Sequence, residues 1–132
     1  MIGIDTNILI RYLAQDDKAQ ALLASTLIEE KLTANTPGFI SMITLVEITW
    51  VLQKCYRASK NDLCSTIKMI LETKQFQVER AESCYRALKL FEMGSGDFSD
   101  ALISSISKDA GCSCVMTFDK KAQSVGMELL SN

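Results

Sequence analysis

Four carboxylates of this chain fall where predicted strands end or predicted helices begin, and their positions suit metal chemistry. Asp5 follows the first short apolar run, and Asp119 follows the apolar run from Cys114 to Phe118. Glu47 lies within a long apolar segment, and Asp100 lies just after a glycine-containing turn. Because the carboxyl ends of parallel strands form the ligand crevice of an open sheet, acids at two such ends can converge on one site. Taken singly, acids after strands are also ordinary helix caps.

Glu47 is the acid that helix capping does not explain. On a helix it lies near Ile43, Trp50 and Val51, so its neighbours on the same face are apolar. A carboxylate without partners is costly to bury, so we expect a cation, a metal ion or solvent beside it. A salt bridge to a lysine or arginine and an exposed position on the helix edge remain the structural alternatives.

The segment Asp97-Phe98-Ser99-Asp100 resembles a capping box, with Asp97 as N-cap and Asp100 in the first turn. Capping alone does not explain why all of these acids occupy strand ends or early helical positions. Four carboxylates in one crevice would repel one another by several kcal/mol unless a divalent cation neutralised them. An all-oxygen cluster therefore predicts Mg²⁺ or Mn²⁺, and such a site does phosphate chemistry.

The composition limits the available chemistry. The chain has 132 residues, no histidine, 14 basic and 16 acidic side chains, and a net charge of -2. Without an imidazole, histidine-dependent triads and histidine-bearing zinc sites are excluded. The acidity argues against a nucleic-acid partner, since phosphate backbones favour basic proteins. However, removing the four acids from the count leaves 12 acidic against 14 basic side chains, and two bound divalent ions would bring the whole protein to +2.

The cysteines and the apolar segments point to a cytoplasmic location. The five cysteines are odd in number and form no CxxC pair, so we expect reduced, buried thiols and no disulfide framework. No secretory signal precedes the first apolar run. The longest apolar stretches are shorter than the roughly 18 to 20 residues that span a bilayer. We therefore expect a soluble protein with no membrane partner.

Alternating strand and helix patterns must position these acids. We predict one domain over residues 1–132, an α/β fold in which helices cover both faces of a central, mostly parallel sheet of four to five short strands. The strands fall at Met1–Ile4, Phe39–Ile40, Phe76–Val78, Cys114–Thr117 and Met127–Leu129, and helices fill the intervals. The helix over Met42–Tyr56 is apolar almost all round, so we expect it to be buried or to form an interface, with Trp50 in the core.

Four segments together resemble the PIN-domain ribonucleases, and most closely the VapC-type toxins of bacterial toxin–antitoxin pairs. They are Ile2-Gly3-Ile4-Asp5-Thr6-Asn7 with Arg11-Tyr12-Leu13, TLVEITWVL at 44–52, GDFSDALIS at 96–104 and TFDKKA at 117–122. Each segment alone is a weak signal, but the four in this order span nearly the whole chain. The resemblance implies a three-layer α/β/α PIN fold and an RNA-cleaving enzyme that uses Mg²⁺ or Mn²⁺ and leaves 5′-phosphate and 3′-hydroxyl ends.

The resemblance also implies roles for individual residues. The catalytic, metal-binding acids would be Asp5, Glu47, Asp100 and Asp119, with Asp97 as an auxiliary ligand or cap. Thr6, Asn7 and Thr117 would orient the carboxylates by hydrogen bonds. Arg11, Lys120 and Lys121 are near the acids in sequence and are candidate phosphate contacts, although solvated surface charge explains them as well. The family further implies a homodimer and a small cognate antitoxin protein.

Two other functions compete with this interpretation. Haloacid-dehalogenase-like phosphatases need a second aspartate two residues after the first, where this chain has Asn7, and Asp119-Lys120 is a poor match to a receiver domain. A non-catalytic interaction module with the same fold is the stronger alternative, since the apolar helix suggests an adhesive surface.

Overall fold

The computed structural model describes residues 1–131, which form two compact units. Unit 1 is Met1–Glu79, and unit 2 is the chain from Arg80 onward. Both units contain helices and strands. Each unit carries part of the acid set that the sequence predicts.

Unit 1 is built on a parallel three-stranded sheet with β2 in the centre. Its elements are β1 (Ile2–Gly3), α1 (Thr6–Ala14), α2 (Lys18–Thr26), a π-helical segment (Leu27–Lys31), β2 (Gly38–Ile40), α3 (Met42–Tyr56), α4 (Lys60–Glu72) and β3 (Phe76–Val78). Gly38 is required on the central strand, because a Cβ there would lie 2.8 Å from side-chain atoms of Ile4 and Leu32. Leu9, Ile40, Leu45, Ile48 and Ile67 are among the fully buried core residues.

Unit 2 consists of helices and a parallel strand pair. Its elements are α5 (Ala81–Met93), α6 (Phe98–Asp109), β4 (Met116–Thr117), α7 (Lys120–Gln123) and β5 (Glu128–Leu129). β4 pairs with β5 in parallel. Phe91 of α5 and Phe98 of α6 meet edge to face with ring centroids 5.9 Å apart, which fixes the two helices beside each other.

The α/β class, the parallel strands and the order of the elements confirm the sequence-based prediction. The pairing of the strands differs from the predicted single central sheet, because they form a three-stranded sheet and a separate two-stranded sheet. β4 is also shorter than the predicted run, since Cys114 and Val115 lie outside it. The last turn of the second predicted helix is π-helical.

Two predictions about burial were wrong. We expected buried thiols, but only Cys84 is buried, Cys64 is partly buried, and Cys55, Cys112 and Cys114 are exposed. Trp50 is 48% exposed, so it is not a core residue. Within residues 1–131, no helix is both long and apolar enough to cross a bilayer.

Candidate active site

Asp5 stands at the point where the first strand becomes a helix. The Ile4 backbone N–H continues the strand pairing by donating to Phe39 O at 2.9 Å. Asp5 then adopts extended backbone angles as the N-cap of α1, and its Oδ1 accepts from the Thr6 backbone N–H at 2.8 Å. The carboxylate is exposed, so one oxygen caps the helix while the group faces solvent.

Glu47 is held by the residue that follows Asp5. The hydroxyl of Thr6, itself only 7% exposed, donates to Glu47 Oε1 at 2.7 Å across 41 positions of sequence. Thr6 therefore contacts both acids, one through its backbone and one through its side chain. Glu47 is exposed, so it lies on the solvent-facing edge of α3, which is one of the alternatives that the sequence left open. Ile43 and Trp50, one turn before and after it on this face, are exposed as well.

Glu79 helps to place α3 and was missed in the sequence. It directly follows β3, and its Oε1 accepts from the Met42 backbone N–H at 3.0 Å. Ser41 caps the same helix through a 3.1 Å bond from the Thr44 N–H. The sequence contained a signal for Glu79, because an acid immediately after an apolar strand is the pattern that pointed to Asp5 and Asp119. The side chain of Glu79 fixes the start of the helix that carries Glu47.

In unit 2 a tight turn places the start of α6 against α7. A Cβ on Gly96 would lie 2.8 Å from Lys121 O, and one on Gly94 would lie 2.7 Å from Ser124 O. The Ser95 backbone N–H donates to Ser124 Oγ at 2.8 Å. Only glycine permits this approach, which brings the acids at the start of α6 to the helix that Asp119 caps.

Asp100 is the acid whose environment is most perturbed. It is partly buried on the first turn of α6. Burial raises its pKa above the ordinary 3.8, and the negative charges of Asp97 and Asp119 raise it further, against a lowering by a hydrogen bond from the Asp97 backbone. The three acids therefore share one electrostatic environment. Asp97 has N-cap geometry, but its side chain makes no capping bond, so the predicted capping box lacks the hydrogen bond of its N-cap side chain.

Asp119 is both a helix cap and a member of this group. Its Oδ1 accepts from the Lys121 backbone N–H at 2.9 Å, which makes it the N-cap of α7. The predicted role of Thr117 takes a different form, because Thr117 Oγ1 accepts from the Asp119 backbone N–H at 3.1 Å. Thr117 orients the backbone that carries the carboxylate and not the carboxylate itself.

The remaining predicted residues differ in how they are engaged. Within residues 1–131, the side chain of Asn7 makes no hydrogen bond. Arg11 is tied to its own unit by a 2.6 Å bond from its Nε to Gln20 Oε1 and by an ion pair with Asp16 at 3.7 Å. Lys120 and Lys121 are exposed and form no ion pair within the described chain. Of the three candidate phosphate contacts, these two lysines are the ones whose charge no ion pair in the described chain neutralises.

The acids suit a hard divalent cation in their chemistry. All donors are carboxylate oxygens, which Mg²⁺ and Mn²⁺ prefer. Over residues 1–131, no lysine or arginine forms an ion pair with Asp97, Asp100 or Asp119, so the charge that raises the pKa of Asp100 is uncompensated. The described residues contain no ready-made group of three or more metal-ligating side chains.

Comparison with known proteins gives the family. The PIN-domain family model matches residues 2–127, which extend over most of both units and contain all five acids. This chain belongs to the PIN-domain family. It is also similar to a protein of Aquifex aeolicus (strain VF5) described as a VapC ribonuclease, with 23% identity over 129 residues, covering 97% of this chain and 94% of the relative.

Proposed function

We propose that this protein is a metal-dependent endoribonuclease and the toxin of a toxin–antitoxin pair. The observation that carries the proposal is the group of Asp97, Asp100 and Asp119, in which burial and then the neighbouring negative charges raise the pKa of Asp100, and which has no basic ion-pair partner in the described chain. A structural role does not require such a group, because helix caps are stable singly. The family membership and the similarity to a VapC ribonuclease support the same function.

We assign Asp5, Glu47, Asp100 and Asp119 to the catalytic, metal-binding set, with Asp97 as an auxiliary ligand, all acting in one reaction. Asp5 offers the oxygen that does not cap α1. Glu47 offers its second oxygen, because Thr6 occupies Oε1 and fixes the rotation of the carboxylate. Asp119 is held by its capping bond and by Thr117. Asn7 stays a candidate orienting residue.

Bound Mg²⁺ or Mn²⁺ supplies Lewis-acid chemistry, because it withdraws charge from a phosphodiester oxygen and makes water acidic enough to act as a nucleophile near neutral pH. The chain's own part is to present carboxylate oxygens in fixed orientations. Buried or hydrogen-bonded neighbours, namely Thr6, Thr117 and the glycine turn, hold those orientations. None of these roles needs an imidazole, so the absence of histidine is compatible with the reaction.

The substrate contacts follow from charge. Lys120 and Lys121 directly follow Asp119 and are exposed, so they are placed to contact phosphates next to the scissile bond. Arg11 is a weaker candidate because Gln20 and Asp16 already engage it. We expect RNA affinity to fall sharply when EDTA removes the metal, since the acid group then presents its full negative charge. An affinity that does not change with EDTA would contradict this charge argument.

We further propose a homodimer, a small antitoxin partner and a cytoplasmic location. The support within the structure is exposed apolar surface on unit 1, where Ile43 and Trp50 lie on α3 and Leu22 and Leu23 lie on α2. Size-exclusion chromatography tests the dimer, and a monomer at micromolar concentration would count against it. Co-purification with the product of an adjacent short reading frame tests the antitoxin.

The decisive experiment is cleavage of RNA by the purified protein in Mg²⁺ or Mn²⁺, with Asp5→Asn as the test variant. The expected loss is about a thousandfold, which corresponds to several kcal/mol of lost transition-state stabilisation. Glu82→Gln is the matched control, because it removes one exposed carboxylate outside the acid set. Full activity of Asp5→Asn would refute the assignment.

A second candidate function is a non-catalytic interaction module of the same fold. The exposed face of α3, with Ile43 and Trp50 on either side of Glu47, favours it. If the protein binds no Mn²⁺ and cleaves no RNA, this second function is the better account. A phosphatase is disfavoured by Asn7 and a receiver domain by the poor match of Asp119-Lys120, and incorporation of phosphate from acetyl phosphate would revive these alternatives.

A further inference from the structure

Unit 2 contains a cavity of about 510 Å³ that the acids do not use. It lies between α5, α6 and the segment before β4, and all of its lining residues belong to unit 2. Its volume is within the range of small-molecule sites, about 300 to 1,000 Å³. Along α6, Ser104 on its wall is four residues (about 6 Å) beyond Asp100, and Lys108 is eight residues (about 12 Å) beyond it. None of Asp97, Asp100 and Asp119 lines the cavity, so it is distinct from the acid group although it begins one helical turn away.

The charge of the cavity wall is of one sign. Three basic residues line it, Arg86 and Lys89 from α5 and Lys108 from α6, and no acidic residue does. The charge of Arg86 is neutralised by an ion pair with Asp109, which is not one of the lining residues. Lys89 and Lys108 form no ion pair within residues 1–131. Two uncompensated ammonium groups suit a dianion.

One hydroxyl in the wall lacks a partner. Ser104 is 7% exposed, and its Oγ is the buried side-chain polar atom without a hydrogen bond in the described chain. A buried hydroxyl in this state costs free energy, unless a bound group satisfies it. The neighbouring Ser105 shows the contrast, because its hydroxyl donates to Ser83 O at 2.8 Å. Gly126, with φ of 102°, leaves the space beside Ser104 open, since a Cβ there would lie 3.4 Å from Ser104 Oγ.

The rest of the wall is apolar. Leu90 and Met93 of α5 and Val115 before β4 line the same cavity. A bare inorganic ion would leave these side chains without contacts, whereas an organic group attached to the ion would cover them. The ligand that fits is thus an anion with an organic part.

We propose that this cavity binds a phosphate monoester of about mononucleotide size. The phosphate lies between Lys89 and Lys108 and accepts a hydrogen bond from Ser104, and the organic part packs on Leu90, Met93 and Val115. A phosphate dianion matches two ammonium groups better than a carboxylate does, and hydrogen bonds to charged acceptors are the strong ones. The site does not depend on the nuclease assignment.

The test is calorimetric titration of the full chain with adenosine 5′-monophosphate at low salt in EDTA, so that metal at the acid group does not bind the probe. We expect one site per chain. Lys89→Gln combined with Lys108→Gln should weaken binding at least tenfold, and Ser104→Ala about tenfold. Adenosine and inorganic phosphate should each bind more weakly than the complete probe.

Matched controls separate the site from general charge and from folding. Lys68→Gln with Lys74→Gln removes two exposed lysines from unit 1 and should change the affinity less than twofold. Ser105→Ala should lower the melting temperature by removing the bond to Ser83 O but leave the affinity unchanged. Ser104→Ala should lower the affinity but leave the melting temperature unchanged. Absence of binding at millimolar probe, equal binding of adenosine, or equal losses in the control variants would overturn the proposal.

Discussion

Both acids of unit 1 are held by hydrogen bonds, whereas unit 2 combines a hydrogen-bonded acid, Asp119, with a partly buried one, Asp100, whose charge its surroundings disfavour. Thr6 bonds to Asp5 through its backbone and to Glu47 through its hydroxyl. In unit 2 the burial of Asp100, and after it the charges of Asp97 and Asp119, raise the pKa of Asp100. The unit 1 acids are thus oriented by hydrogen bonds, while Asp100 carries a charge that burial and acidic neighbours disfavour and that a cation would stabilise.

The largest expected effect tests whether both sets of acids serve one reaction. Glu47→Gln and Asp100→Asn should each lower RNA cleavage by about a thousandfold, because each removes a carboxylate charge that the metal requires. Their stabilities should differ in EDTA. Asp100→Asn should raise the melting temperature by removing a repelled, partly buried charge, whereas Glu47→Gln should leave it nearly unchanged because Gln Oε1 can still accept from Thr6. Thermal unfolding of both variants alongside cleavage assays measures this, and a melting temperature lowered by Asp100→Asn would contradict the comparison.

The pH dependence of stability should show how strongly burial and the acidic neighbours disfavour the charge of Asp100. Because the pKa of Asp100 is raised in the folded chain, the folded state binds this proton more tightly than the unfolded state does. Its destabilising effect is complete above the raised pKa, declines as the pH falls through that value, and is absent below 3.8. The stability advantage of Asp100→Asn over the parent should therefore be present at pH 7 and vanish in acid. Urea unfolding in EDTA across this range measures it, and a constant advantage at every pH would rule out titration of Asp100 as the cause.

An intermediate effect is expected from the threonine that connects the unit 1 acids. Thr6→Val keeps the shape of the side chain and removes the hydroxyl, so Glu47 loses its orienting bond. Outer-shell changes of this kind typically cost about 10- to 100-fold in activity or metal affinity. Thr6→Ser retains the hydroxyl and should recover most of the activity. Cleavage rates at several Mn²⁺ concentrations distinguish weaker metal binding from slower chemistry, and full activity of Thr6→Val would show that the bond is structural.

The smallest effects concern RNA contacts. Lys120→Gln with Lys121→Gln should weaken RNA binding a few-fold and reduce the slope of log affinity against log salt by roughly 1.4, about 0.7 for each phosphate contact of a single strand. Arg11→Gln should change less, because Arg11 is engaged by Asp16 and Gln20. Binding measured at several salt concentrations, with cleavage prevented by Asp5→Asn, gives both slopes. A larger change in RNA affinity for Arg11→Gln than for the double lysine variant would contradict this ranking.

The local features of both units could be predicted from sequence, because they depend on neighbours along the chain. Asp5 and Asp119 are caps at strand ends, as their positions indicated, and the helices follow the apolar periodicity. The long-range features could not be predicted. The bond from Thr6 to Glu47 spans 41 positions, and the cap that Glu79 gives to Met42 spans 37, so both depend on how the helices pack. Burial was misjudged for Trp50 and for Cys112 and Cys114, since composition does not say which apolar residues a small core can cover.

Gly96 determines how strongly the unit 2 acids interact, although it bears no side chain itself. With only 2.8 Å between the position of its missing Cβ and Lys121 O, even alanine would push the start of α6 away from α7. Asp100 and Asp119 would then move apart with all of their carboxylates intact. The turn thus acts as a spacer that sets the charge density around Asp100, so the proposed cation binding should be weakened by insertions or substitutions there even with every proposed ligand intact.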